Sequence, residues 1–201
     1  MNLKNFSKTT WLNFIILAIF TIVFIARENY EFLLYIVTIA ILVLIIERTD
    51  KMFNYPKIAK YGFSLWMLLH FLGASVYIAG EKLYALMLIP LIGSPYNIFK
   101  YDQFMHFYTY VVITILIYTI VMSIADKKAN KWVIYVIVIL AGSSIGAINE
   151  IIEFSTVILF DAGHAVGGYY NTLLDLVFNF VGAIVAVILV TKFPNHNNKT
   201  K

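Results

Sequence analysis

The 201-residue chain has no cysteine. That excludes disulfides, thiolate metal sites and cysteine nucleophiles, and it leaves the redox compartment open. Any metal would have to be held by histidines and carboxylates. Charge is scarce too: Asp, Glu, Lys and Arg make up 13% of the residues, against roughly 25% in an average soluble domain. No Pro/Ser-rich linker, low-complexity tract or long charge block marks off a soluble module. The chain is instead 61% hydrophobic, with a mean hydropathy of +0.83. It reads as an all-α, polytopic membrane helix bundle, a single transmembrane domain over residues 1–201 whose first partner is the lipid bilayer.

The net charge of +4 and pI near 9.1 do not point to nucleic acid, because the basic residues sit in short loops between apolar runs, where they act as topology signals. The N-terminus has the basic start and apolar core of a signal peptide. FIAREN offers no small-x-small cleavage site, however, and another apolar run follows, so an uncleaved first helix is expected.

Six apolar windows approach the roughly 20 residues that a crossing helix needs: 11–26, 32–46, 61–79, 102–125, 132–160 and 172–192. Between the third and fourth, LYALMLIPLIGSPYNIFKY is apolar for too short a stretch to cross. It is interrupted by Pro90, Gly93 and Pro95, which predicts a short re-entrant or interfacial segment. With both termini in the cytoplasm, 12 of the 15 Lys and Arg residues face inward and only Arg27, Lys82 and Lys100 face outward, the distribution expected of that orientation.

That orientation gives each intramembrane polar residue a depth. His70 lies at or past the middle of the third span, Asp102 and His106 in the first turns of the fourth, Glu150 and Glu153 in the outer half of the fifth, and Asn171, Asp175 and Asn179 in the first turns of the sixth. All fall in the outer half, from four different helices. Spacings of three and four let each set face one way. Gly142, Gly146, Asn149 and Glu153 form a stripe along which a neighbouring helix could come close, and Gly182 continues the Asp175 face. A polar pocket opening outward is expected, with DAGHAVGGYYN and its His164 as a cover.

Four carboxylates in a low-dielectric pocket cannot all stay ionised and unpaired. Either they share protons or they hold a cation, such as a transition metal with the histidines or Mg or Ca with oxygen alone. Blander roles also exist. His70 could be an interhelical hydrogen-bonding residue, Asp102 and Asp175 could be helix caps, and His164 and His196 could be solvated. Glu150 and Glu153 resist such readings best, since each carboxylate at membrane depth costs at least about 2.5 kcal/mol.

HFLGASVY (70–77), NIFKYDQFMHF (97–107), AINEIIEF (147–154) and YNTLLDLVFNFVGA (170–183) resemble, in order and spacing, the motifs of the YjdF-like bacterial inner-membrane proteins. The Asp-x-x-x-His, paired-Glu and Asp-x-x-x-Asn order is more distantly similar to VanZ-like proteins. The resemblance covers about residues 65–190 and implies no particular activity. It implies a bacterial inner-membrane location, and that His70, Asp102, His106, Glu150, Glu153, Thr172 and Asp175 occupy the family's polar motif positions. Phe154 stands where the family usually has Trp, and Asn171 where it often has Asp.

Three functions fit these residues. The first is a membrane enzyme using a divalent metal on a lipid or lipid-linked substrate, with His70, Asp102, His106 and Asp175 as ligands, Glu150 or Glu153 as general base, and Asn149, Asn171, Thr172 and Asn179 as further polar groups. The second is a transporter or proton/cation pathway through the same carboxylates. The third is an accessory protein whose polar cluster fixes helix packing.

Overall fold

The computed structural model describes residues 6–160 and 168–193; residues 161–167 of the loop expected to cover the pocket, His164 among them, and His196 lie outside the described residues, while Tyr169, Tyr170 and Asn171 of that stretch are helical. Among the described residues, six α-helices carry the chain: α1 (Lys8–Ala26), α2 (Tyr30–Phe53), α3 (Lys57–Ser75), α4 (Tyr101–Ile124), α5 (Lys131–Phe160) and α6 (Tyr169–Lys192). Two antiparallel hairpins interrupt them, β1 (Tyr77–Ile78) with β2 (Glu81–Lys82) and β3 (Met87–Ile92) with β4 (Ile98–Lys100).

Among the described residues, five stretches are long and apolar enough to cross a bilayer: Lys8–Ala26, Phe32–Phe53, Tyr101–Ile124, Lys131–Ser155 and Tyr169–Lys192. Large side chains such as Ile22, Leu34 and Ile151 project from them with more than 60% of their surface exposed, as lipid-facing side chains do and as a protein in water would avoid. The protein is a multi-pass helical membrane protein. The sixth expected span, α3, is a helix of 19 residues whose apolar run is diluted by Lys57, Lys60, Ser64 and His70.

Two boundaries differ from the sequence expectation for local reasons. The second span continues past Ile46 to Phe53, because Asn54 in the left-handed region closes the helix only there. The third stops at Ser75 instead of Ala79. Ala79 and Gly80 both have positive φ, 52° and 89°, which is the backbone of a two-residue turn, and that turn pairs Tyr77 with Lys82.

The chain divides into two compact units, Met1–Leu86 and Met87–Lys201. In the first, α1 packs on α2 and α3 around Phe20, Phe24, Phe32 and Phe71, whose rings lie 5.1 to 5.9 Å apart in successive pairs. In the second, α4 and α6 form the most extensive contact and α5 packs against both. Small residues make this possible: a Cβ on Gly182 would strike the backbone carbonyl of Phe107, and one on Gly142 would strike the Thr114 hydroxyl.

The expected short segment is the β3–β4 hairpin. From Leu83 to Phe99 it has no charged residue, and five of the six β3 residues are exposed. A strand that is apolar on both faces suits the boundary of a bilayer. Within its unit the hairpin is tied down at two places. Gln103 Oε1 accepts from the Phe99 and Lys100 backbone N–H groups, capping α4. Tyr96 and Phe99 pack on Tyr170 and Phe178 of α6 at 5.2 and 5.7 Å.

Candidate functional site

Helical spacing delivers the polar residues of the unit Met87–Lys201 to one place. α4 contributes Asp102 and His106 from its first two turns, α5 contributes Asn149, Glu150 and Glu153, and α6 contributes Asn171, Asp175 and Asn179 at intervals of four. Gly146 makes room, since a Cβ there would lie 2.7 Å from Asn179 Nδ2.

His106 is the hub. Its Nδ1 lies 3.0 Å from Asn179 Oδ1 and 3.5 Å from Glu150 Oε1. Its Nε2 lies 3.7 Å from Asp102 Oδ1 and 4.0 Å from Asp175 Oδ1. An amide oxygen can only accept, so Asn179 selects the tautomer with hydrogen on Nδ1. In the neutral ring Nε2 then presents a lone pair toward two carboxylate oxygens, and three electron-rich atoms confront one another. Such an arrangement requires a proton or a cation among them.

The surrounding bonds sharpen this requirement. Asn171 Nδ2 donates to Asp102 Oδ2 at 3.1 Å and to Asp175 Oδ2 at 2.7 Å. One amide thus clamps the outer oxygens of both carboxylates and leaves the two Oδ1 atoms toward the imidazole. An aspartate at 171 would have placed a third negative charge where this neutral clamp stands. Asn149 Nδ2 donates to Glu153 Oε1 at 2.7 Å. Both carboxylate oxygens of Glu150, Oδ1 of Asp175 and Nδ2 of Asn179 are buried without a hydrogen-bond partner, and Asp175 is only 1% exposed. Orphaned buried polar atoms of this kind are uncommon and costly.

Among the described residues, two groups have ligand atoms within 4.8 Å of one another, Asp102–His106–Asp175 and His106–Glu150–Glu153. An ion with bonds of about 2 Å holds its ligands roughly 3–4 Å apart, so small side-chain movements would close either group.

Capping does not account for Asp102 or Asp175. At the start of α4 that role falls to Gln103, which is fully buried and which the sequence reading passed over; Asp175 stands well inside α6, whose cap is Gly168. Thr172 is partly buried beside Asn171. His70 belongs to the unit Met1–Leu86, where Tyr84 Oη lies 2.5 Å from its Nδ1 and the rings of Phe32, Tyr35 and Trp66 surround it at 5.4 to 5.6 Å. Tyr84 had no sequence signal beyond its place in an apolar stretch.

The family described as predicted membrane protein (DUF2238) matches residues 8–196. The chain belongs to this family. It is the YjdF-like family that the four motifs resemble, and the match extends beyond residues 65–190 to the first two helices. The more distant likeness to VanZ-like proteins is not supported. No curated protein and no solved structure matches the chain.

Proposed function

We propose that the α4–α5–α6 cluster is a divalent-cation site of a membrane enzyme acting on a lipid or lipid-linked substrate. The observation that carries the reading is Asp175 Oδ1, buried without a hydrogen-bond partner beside Nε2 of His106. A cation supplies what it lacks. His106 Nε2, Asp102 and Asp175 are the ligands, and Asn171 and Asn179 orient them, as partners behind metal ligands commonly do. Glu150 or Glu153 would serve as general base for water that such an ion activates. His70 belongs to the other unit, Met1–Leu86, and is not used in this ligand set.

Metal analysis of the protein purified without chelator tests the reading: about one transition-metal ion per chain is expected, released on acidification because protons compete for the same ligands. A metal-free preparation that takes up none on dialysis against Zn, Mn, Fe or Ni would end it.

A second reading has an observation of its own. Nε2 of His106 faces Asp102 and Asp175 while its Nδ1 faces Glu150, an arrangement suited to passing a proton through the ring. Proton flux into vesicles, lost on His106→Gln, is its signature.

The same proposal places the protein in a bacterial inner membrane with both termini cytoplasmic and the cluster toward the outer side. It rests on the 12 of 15 basic residues that then face inward. In the cysteine-free background, Lys100→Cys should react with an impermeant maleimide added to intact spheroplasts, and Lys128→Cys only after lysis. The reverse pattern would invert the site.

A further inference from the structure

The unit Met1–Leu86 holds a polar cluster of its own. Ser7, Thr9, Thr10 and Asn13 at the start of α1 line a small cavity with Glu47 and Asp50 of α2 and Lys60 of α3. None of these belongs to the site described above.

The hydrogens in this cluster can be assigned one by one. Glu47 accepts from the Ser7 backbone N–H at 3.2 Å and from the Ser7 hydroxyl at 2.7 Å, and a further short bond comes from the Thr10 hydroxyl. Ser7 Oγ in turn accepts from the Thr10 backbone N–H at 3.2 Å. It lies 3.0 Å from Thr9 Oγ1. With the Ser7 hydrogen already given to Glu47, Thr9 is the donor in that contact. Each hydroxyl has one hydrogen and two lone pairs, so Thr9 and Thr10 have no hydrogen left, and their oxygens can only accept. Asn13 Oδ1 is a third such atom: it is buried without a partner on a residue only 5% exposed.

The charges leave the same remainder. Lys60 Nζ pairs with Asp50 at 2.6 Å, so a single cation serves both carboxylates that line the cavity, Asp50 and Glu47. The cavity therefore has a surplus of hard oxygen acceptors and one negative charge. Oxygen ligands select hard cations, and the charge balance calls for a single positive charge.

We propose that this cavity binds a sodium ion, with Asn13 Oδ1, Thr9 Oγ1 and Thr10 Oγ1 as ligands and Glu47 as the charge behind them. A ligand that binds only the folded state raises its melting temperature with concentration. Melting of the purified protein is therefore followed as sodium chloride replaces choline chloride at constant ionic strength. A saturable rise is expected in the wild type and in Asp175→Asn, and its loss in Asn13→Ala. Identical melting in both salts would mean that the cavity holds water only, and a full rise in Asn13→Ala would remove the site from Asn13; either overturns the proposal. Should Asn13→Ala not purify folded, Asn13→Asp adds an anionic ligand and is expected to lower the half-saturating sodium concentration at least severalfold. An unchanged half-saturation overturns the proposal equally.

Discussion

Asp175→Asn is expected to empty the α4–α5–α6 cluster of metal while leaving the chain folded and, in chelator, more resistant to heat. The side chain keeps its volume, and its remaining oxygen still accepts from Asn171 Nδ2, now 2.7 Å from Asp175 Oδ2. What changes is the atom 4.0 Å from His106 Nε2. A carboxylate oxygen becomes an N–H donor, and the lone pair on Nε2 gains the partner that the wild type obtains only from a proton or a cation. Replacing a poorly compensated buried charge by a neutral group is stabilising by about 1–4 kcal/mol in comparable cases, and for a chain of this size each kcal/mol moves the melting temperature by about 2–4 °C. Metal content should fall from near one per chain to at least tenfold below it. Metal analysis and thermal melting with and without chelator read the two effects separately. If Asp175→Asn keeps its full metal content, Asp175 is not a ligand. If it loses metal and melts lower even in chelator, the carboxylate is held for packing instead.

Gly182→Ala should cost most in stability. The added Cβ would meet the carbonyl oxygen of Phe107, with Phe107 C at 3.2 Å and Val111 N at 3.3 Å behind it. All three are backbone atoms of α4, so no rotamer change relieves the clash and the helices themselves must separate. Overpacking of this kind costs about 1–3 kcal/mol, here across the most extensive helix contact in the unit. Metal should be lost along with the fold, because α4 and α6 supply the ligands. Gly146→Ala makes a useful contrast. Its Cβ would meet the Asn179 side chain, at 2.7 Å from Nδ2 and 3.0 Å from both Cγ and Cβ; the amide can turn away, and the Cβ contact asks α6 to give by only a few tenths of an ångström. The helices then stay together while His106 loses the oxygen 3.0 Å from its Nδ1. The expected result is a small change in melting in chelator with a drop of about 10–100-fold in metal affinity, the usual cost of removing a group that orients a ligand. Wild-type melting in Gly182→Ala would refute the close-approach argument.

Much of this site was legible in the sequence because helices have a fixed period. Asp102 and His106, Asn171 with Asp175 and Asn179, and Glu150 with Glu153 each follow from spacing, and carboxylates in apolar spans announce themselves by their cost. The glycine stripe likewise marked where helices meet. Pairing was less accessible. That Asn171 would bridge two aspartates, or that Asn179 would set the tautomer of His106, depends on helix rotation, which spacing alone leaves free. His70 illustrates the limit: its type and depth matched the other polar residues, whereas its partner Tyr84 lies in a single 3₁₀ turn, Leu83–Ala85, too short for a periodicity to place it. The β3–β4 hairpin was foreseen only as a segment too short to cross, because alternation in an all-apolar strand has no polar beat to reveal register. The cluster around Glu47 escaped notice since SKTTWLN reads as the polar lead of a span, and its acceptors become a surplus only when each hydrogen is assigned.

The position of α6 in the chain has a bearing on biosynthesis. Several of the neutral groups that organise the cluster come from this helix: Asn171, which clamps two aspartates, Asn179, which orients the imidazole, and Tyr170 and Phe178, which hold the hairpin. While the ribosome is still making it, α4 and α5 already carry Asp102, His106, Glu150 and Glu153 with none of those partners. A nascent chain at that stage carries Asp102 and His106 in an apolar helix without the amides that bond them, at a cost in the bilayer. Assembly of the site therefore waits for α6, and chains cut short before it lack the partners that α4 needs.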